Sequence, residues 1–202
     1  MEHVTAIILA GGGSTRMGRD KATLALAGRS LLQRVVDATN GVADAIVVVL
    51  APGQPEPSVT AGVPLCFTTD AVGGQGPLAG ILAGFAAARG DVALLLACDQ
   101  PFVRPALLHL LASQVAEAPA AIPLLDGQPQ HLCAAVRLDA APVLRAAFER
   151  GSRAAAAISD LPGTRLLGAE VWQAADPDGV SFAGANTPEE LARLEVLAVR
   201  LG

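Results

Sequence analysis

A largely apolar run from Val4 to Ala10 breaks abruptly into three glycines, Gly11 to Gly13, and then into Ser14, Thr15, Arg16, Arg19 and Lys21. The run reads as a buried strand. Only a backbone without Cβ atoms packs closely on a ligand, and successive N–H groups in such a loop form a concave anion site. The cations narrow the choice of anion. Arg16, Arg19 and Lys21 follow within a dozen residues of the strand end, which suits a polyphosphate better than a single carboxylate. The stretch therefore reads as a nucleoside triphosphate site.

Lys21 is the single lysine among 14 Lys plus Arg residues, so arginine serves every other cationic position. A compact ammonium is expected where a point charge is needed. The loop fits neither G-x-x-x-x-G-K-[ST] nor G-x-G-x-x-G, which sets aside the P-loop and the dinucleotide fingerprint.

The 202 residues, 52% of them hydrophobic, can build one domain with a substantial core. Aromatic residues are only 3%, with no tyrosine, and the net charge is −5, so neither stacking platforms nor a basic face for nucleic acid is expected. No apolar run approaches the roughly 18 residues of a membrane span, and Met1 to Ala10 lacks the marks of a signal peptide, so a cytoplasmic protein is expected. Cys66, Cys98 and Cys133 contain no C-x-x-C and read as small buried hydrophobes. His3, His109 and His131 form no metal-spaced pair.

Along the chain, Ser30 and Gln33 are spaced as a capping box for a helix from about Leu31 to Thr39. Ala45 to Leu50 and Val63 to Thr68 read as buried strands, with a Pro-rich loop between them at Ala51 to Ser58. Pro77 opens a helix whose Leu78, Ile81, Leu82 and Phe85 share one face, and Gly80 and Gly84 on the opposite side admit a neighbouring backbone. Val92 to Ala97 is the next strand. This βα rhythm predicts a mostly parallel sheet.

In the second half, a helix is predicted over Pro105 to Ala116 and a strand near Ala120 to Leu125, with Asp126-Gly127 as a hairpin turn into His131 to Arg137. A helix follows from about Asp139 to Arg150. Thr187 and Glu190 form a second capping box, with Pro188 starting a helix that buries Leu191, Leu194 and Leu197.

Ligands of open α/β sheets bind outside the carboxyl ends of the strands. Gly11 to Lys21, Asp70 and Asp99 all sit at such ends and should converge. Asp99, between an apolar strand and Pro101, suits Mg²⁺ beside triphosphate oxygens, and it equally suits an N-cap for a segment near Pro101. Asp70 precedes glycines, where a turn also favours Asp.

The first motif, LAGGGSTRMGRDK (Leu9 to Lys21), resembles a pattern of nucleotidyltransferases and, in this spelling, of the molybdenum cofactor guanylyltransferases. The likeness continues in order through DAVGGQGPLAGILAGF (Asp70 to Phe85), LLLACDQPF (Leu94 to Phe102), DGQPQHLCAAVR (Asp126 to Arg137) and FAGANTPEELARLE (Phe182 to Glu195). It implies a Rossmann-like three-layer α/β/α nucleotidyltransferase fold with a mostly parallel central sheet, as one domain over residues 1–202. It further implies that Leu9, Ala10, Gly11 and Gly12 hold the nucleotide through the backbone, that Lys21 grips the phosphates, that Asp70 contacts the nucleotide, and that Asp99 binds Mg²⁺. The segment Asp126 to Arg137 would offer the second substrate surface.

The implied reaction is attack by the terminal phosphate of molybdopterin, carrying its metal, on the α-phosphorus of GTP, with Lys21, Arg16 and Mg²⁺ on Asp99 supplying charge. Gly184 departs from the family, which often has Asn there, and Ala51-Pro52-Gly53 lacks an Asn that some members use near the nucleotide. Asn186 leans toward the guanylyl branch, because related cytidylyltransferases usually place Asp at that position. Rival readings are transfer from CTP or to another phosphorylated acceptor, and a nucleotide-binding module without catalysis, which retention of Lys21 and Asp99 disfavours. Partners expected beyond GTP and molybdopterin are cofactor-delivering or acceptor proteins, with the chain a monomer or weak homo-oligomer.

Overall fold

The computed structural model describes residues 2–11, 21–70 and 74–201. The first strand, β1, runs over Val4–Leu9; a small hairpin of β2 (Ala25–Leu26) and β3 (Arg29–Ser30) leads into helix α1 (Leu31–Thr39). There follow β4 (Ala45–Leu50), β5 (Leu65–Thr69), α2 (Pro77–Ala87), β6 (Val92–Ala97) and α3 (Pro105–Ser113). The second half holds β7 (Ala120–Leu125), β8 (Gln128–Pro129), β9 (Cys133–Arg137), α4 (Ala141–Glu149), β10 (Arg165–Leu167), α5 (Ala169–Trp172) and α6 (Pro188–Leu201).

The main sheet has the order β10-β7-β9-β6-β1-β4-β5, with β8 paired to β7. Its centre is parallel: Ile7 of β1 faces Val47 of β4 on one side and Leu95 of β6 on the other. Strand β9 runs antiparallel to both β6 and β7, so the sheet is mixed with a mostly parallel core.

Apolar side chains leave both faces of the central strands, which is why these read as unbroken hydrophobic runs. Ala6, Ile8, Ile46, Val48, Leu94 and Leu96 pack with Leu32, Val35 and Val36 of α1 and Leu107, Leu108 and Leu111 of α3. Their neighbours Ile7, Val47, Val49 and Leu95 point the other way, onto Leu78, Ile81 and Phe85 of α2 and Leu144 of α4. Two helical layers thus enclose the sheet. Each fully buried Leu or Ile contributes about 1.5–3 kcal/mol by area.

Four expectations change. Leu65–Thr69 is an edge strand with no fully buried residue, and Cys66 is exposed while Cys98 and Cys133 are buried. Burial with Asp176 nearby pushes the Cys133 thiol up to about 12, consistent with an inert core residue. Gly80 and Gly84 face the sheet rather than a separate neighbour: a Cβ at 84 would overlap Ile7 Cγ2 and stand 3.2 Å from Val49 Cγ2. The first capping box is only half made. Gln33 N–H donates to Ser30 Oγ at 3.1 Å, but the Gln33 amide group donates to Asp37 Oδ1 and to the Thr60 carbonyl instead of returning to the cap.

The irregular segment after α4 is tied to the body by polar contacts. Arg104 Nε lies 3.0 Å from the fully buried Asp176 Oδ1, whose Oδ2 accepts from Ser181 N–H, and Trp172 Nε1–H donates to Leu124 O. No helix among the described residues is long and apolar enough to cross a membrane.

Candidate active site

Strand β1 sits where the sheet changes direction, with β4 on one flank and β6 on the other. A crevice opens at the carboxyl ends of strands about such a point. Here it is a cavity of about 580 Å³ lined by Leu9, Ala10 and Gly11 after β1, Ala51 and Pro52 after β4, Asp70 after β5, and Cys98 and Asp99 after β6. Gly76 before α2, Pro77 and Gly80 of α2, Leu132 before β9 and Asn186 before α6 also contribute to the wall.

The four strand ends are bound into one floor. Ala10 and Gly11 N–H both donate to Val49 O, at 2.8 and 2.9 Å; Cys98 N–H donates to Leu9 O at 3.1 Å; Asp70 N–H reaches Leu50 O at 3.4 Å. Gly11 has no room for a side chain, because a Cβ would stand 2.5 Å from the Leu50 carbonyl carbon. Gly76 adopts φ +85, and a Cβ there would come within 2.5 Å of Arg153 O, the same oxygen that accepts from Leu78 N–H at 3.0 Å. The start of α2 is therefore fixed from behind by the turn after α4.

Asp99 does not cap a helix. α3 begins at Pro105 with Arg104 as its cap residue, and Asp99 instead occupies the turn after β6, at the cavity. Its main-chain oxygen accepts from Ala185 N–H at 3.3 Å, bringing the segment before α6 alongside. That segment is held by the second capping box, here fully made: Glu190 N–H donates to Thr187 Oγ1, and Asn186 and Thr187 N–H both donate to Glu190 Oε2. The box thus places Asn186 in the cavity wall.

Of the residues expected at the site, Leu9, Ala10, Gly11, Asp70, Asp99 and Asn186 line this single cavity. Lys21 opens a short turn, Lys21–Thr23, leading to the fully buried Ala22. Gly12 and Arg16 lie outside the described residues.

Leu132 belongs to the segment Asp126 to Arg137 expected as the second substrate surface, whereas Cys98 in the lining and Gln54 beside it were not anticipated. Gln54 lies behind the wall: its Oε1 accepts from Ala51 N–H at 2.9 Å and its Nε2 donates to Ala10 O at 3.3 Å. A glutamine in a Pro-rich loop carries no periodic signal that marks such a bridge.

Among the described residues no group of three or more His, Cys, Asp and Glu side chains could hold a metal ion unaided. Asp70, Asp99 and Asn186 nonetheless give the cavity hard oxygen donors. Mg²⁺ retains several waters and completes its shell with one or two carboxylates and substrate phosphates, and this donor set fits that habit.

The sequence profile of the MobA-like NTP transferase domain matches residues 6–184. The chain belongs to that family. Full-length relatives agree: a molybdenum cofactor guanylyltransferase of Desulfosudis oleivorans is 32% identical over 204 residues, covering 100% of this chain and 98% of its own. One from Rhodobacter capsulatus is 36% identical over 196 residues, covering 96% and 95%. Among solved structures, the molybdopterin-guanine dinucleotide biosynthesis protein A of Archaeoglobus fulgidus superposes with TM-score 0.77 at 26% identity, covering 97% of this chain and 99% of its own. The 2-C-methyl-D-erythritol 4-phosphate cytidylyltransferase of Thermus thermophilus shares the fold, with TM-score 0.75 at 21% identity and coverage of 98% and 99%. Membership makes this chain a nucleotidyltransferase of the MobA-like family, and its cavity lies outside the carboxyl ends of the strands, where open α/β sheets receive ligands.

Proposed function

We propose that this MobA-like transferase moves GMP from GTP onto the terminal phosphate of molybdenum-molybdopterin, yielding molybdopterin guanine dinucleotide and pyrophosphate. The observation that carries this reading is the convergence of the glycine-loop end, Asp70, Asp99 and Asn186 on one cavity, in a chain whose full-length relatives bear the guanylyltransferase name.

The lining joins two chemistries: Ala10, Gly11, Ala51 and Pro52 offer small walls and main-chain polar groups, while Asp70, Asp99 and Asn186 offer side-chain oxygens. A phosphate oxygen is already a nucleophile, so the protein's work is alignment and charge neutralisation, without a covalent intermediate. Lys21 and Arg16 bring positive charge to the triphosphate. Asp99, with phosphate oxygens, would hold Mg²⁺, which supplies Lewis-acid stabilisation of the charge developing on the leaving pyrophosphate. Proteins that deliver the cofactor or accept the product are the expected partners, and the setting is the cytoplasm.

The test incubates the protein with each NTP, Mg²⁺ and molybdenum cofactor and reads the product by mass. The dinucleotide is expected from GTP alone. Product from CTP would move the enzyme to the cytidylyl branch, and no product from any NTP would leave only nucleotide binding.

A further inference from the structure

We propose that Asp176, outside the cavity, is a positioning residue that holds the turn carrying Asp99 and the segment carrying Asn186 at one spacing. The inference rests on the nucleotidyl-transfer reading for what that spacing serves. At the cavity the two stretches meet where Ala185 N–H donates to Asp99 O at 3.3 Å. A hydrogen bond at one end fixes a separation there and leaves the angle open. The second fastening lies further along both stretches. Arg104 N–H donates to Ser181 Oγ at 2.9 Å, and the fully buried Asp176 engages the same two residues: its Oδ2 accepts from Ser181 N–H at 2.8 Å and its Oδ1 lies 3.0 Å from Arg104 Nε. With 99 beside 185 and 104 beside 181, the stretches run next to each other in opposite directions, tied at both ends.

Stability alone is a weak reason for such a group, because taking a carboxylate out of water costs about as much as a buried ion pair returns. Its two oxygens, aimed at a main-chain N–H and a guanidinium, supply direction instead. Asp176 is itself anchored: its N–H donates to Trp172 O and its own O accepts from Gly179 N–H, both at 3.1 Å, while Phe182 packs edge-on against the Trp172 ring at 5.0 Å. Ser181 is fully buried, so its N–H cannot turn to water if the carboxylate is lost. Nor is there slack toward the cavity. A Cβ at Gly184 would stand 3.2 Å from Asp99 O, so a shift at Ser181 is passed on to Asp99 rather than absorbed. The walls from β1 and β4 lie outside this fastening, with Ala10 and Gly11 N–H held by Val49 O. Loosening it should therefore cost alignment of the reacting groups more than nucleotide binding.

The experiment compares wild type with Asp176→Asn, Ser181→Ala and Asp178→Asn by kcat from pyrophosphate release well below each melting midpoint, by GTP affinity from calorimetry, and by amide exchange at Ala185 from NMR. Asp176→Asn keeps an acceptor oxygen but loses the charge that pairs with Arg104. Its kcat should fall about tenfold with GTP affinity within about twofold of wild type, and Ala185 N–H should exchange about tenfold faster. Ser181→Ala removes only the tie to Arg104 N–H and should lower kcat about threefold with the same exchange signature, which preserves the test if Asp176→Asn does not fold. Asp178, exposed and 3.7 Å from Arg104 Nη2, lies outside the fastening, so Asp178→Asn should match the wild type. A merely structural role would lower the melting midpoint and leave the kcat of the folded protein unchanged; that result, or unchanged exchange at Ala185, would overturn the inference. A loss of GTP affinity large enough to explain the whole loss of activity would overturn it too. A wild type that releases no pyrophosphate from GTP with molybdopterin refutes the proposed acceptor instead, and exchange at Ala185, which needs no substrate, still upholds or overturns the fastening.

Discussion

Gly184 lies against Asp99: a Cβ at 184 would stand 3.2 Å from the Asp99 carbonyl oxygen and 3.6 Å from its Oδ1. The first distance is tighter than an ordinary side-chain contact, so any larger residue must push the segment carrying Asn186 away from the turn carrying Asp99. Gly184→Ala should leave the fold intact and lower kcat by about tenfold, since a displacement near 1 Å can cost roughly a hundredfold and this one is smaller. Steady-state kinetics beside thermal melting is the check. Wild-type kcat would mean that the spacing of Asp99 and Asn186 is immaterial.

Asp99 itself lines the cavity and caps no helix. Asp99→Asn keeps the shape and removes the charge, so it should abolish turnover with little change in melting temperature. Activity that remains and still responds to Mg²⁺ would take the metal away from Asp99.

In α2, Gly84 meets the sheet where a Cβ would overlap Ile7 Cγ2. Gly84→Ala raises helix propensity but overpacks this contact, and the second effect should win, costing about 1–3 kcal/mol in denaturant unfolding. A stabilised variant would show that the helix can lift from β1 without penalty.

His131 sits beside Ser159, with Nε2 and Oγ 2.8 Å apart, and burial holds its pKa below the ordinary 6.5 despite the nearby Asp160. The unfolded chain therefore binds this proton more readily than the folded one, and stability should fall as pH drops through 6.5 toward the lower folded pKa. His131→Asn should flatten that part of the stability-pH curve. An identical acid-side slope in the variant would assign the loss to other groups.

Where strands are buried on both faces, sequence and structure coincide: Ala45–Leu50, Val92–Ala97 and Ala120–Leu125 have the bounds the apolar runs suggest. Asp126 and Gly127, with φ 48 and 76, form the left-handed turn that an Asp-Gly pair favours. The C-terminal capping box is legible because its partners are three residues apart, and it fixes Asn186 at the site. Elsewhere the competing contact lies far along the chain. Gln33 is drawn from its cap by the Thr60 main chain, Cys66 is exposed because β5 is an edge, and β10 and α5 follow no clear periodicity. The site residues at strand ends were legible because topology alone brings them together. Gln54 was not, since its value comes from two main-chain groups that meet only once the sheet has formed.

The central claim is that a terminal phosphate of molybdopterin attacks the α-phosphorus of GTP. Running the reaction with an acceptor whose terminal phosphate carries ¹⁸O, and weighing both products, tests this directly. The expected products are a guanine dinucleotide retaining all of the label, including the bridging oxygen, and unlabelled pyrophosphate. Label in the pyrophosphate, or a dinucleotide formed from CTP and not from GTP, would contradict it.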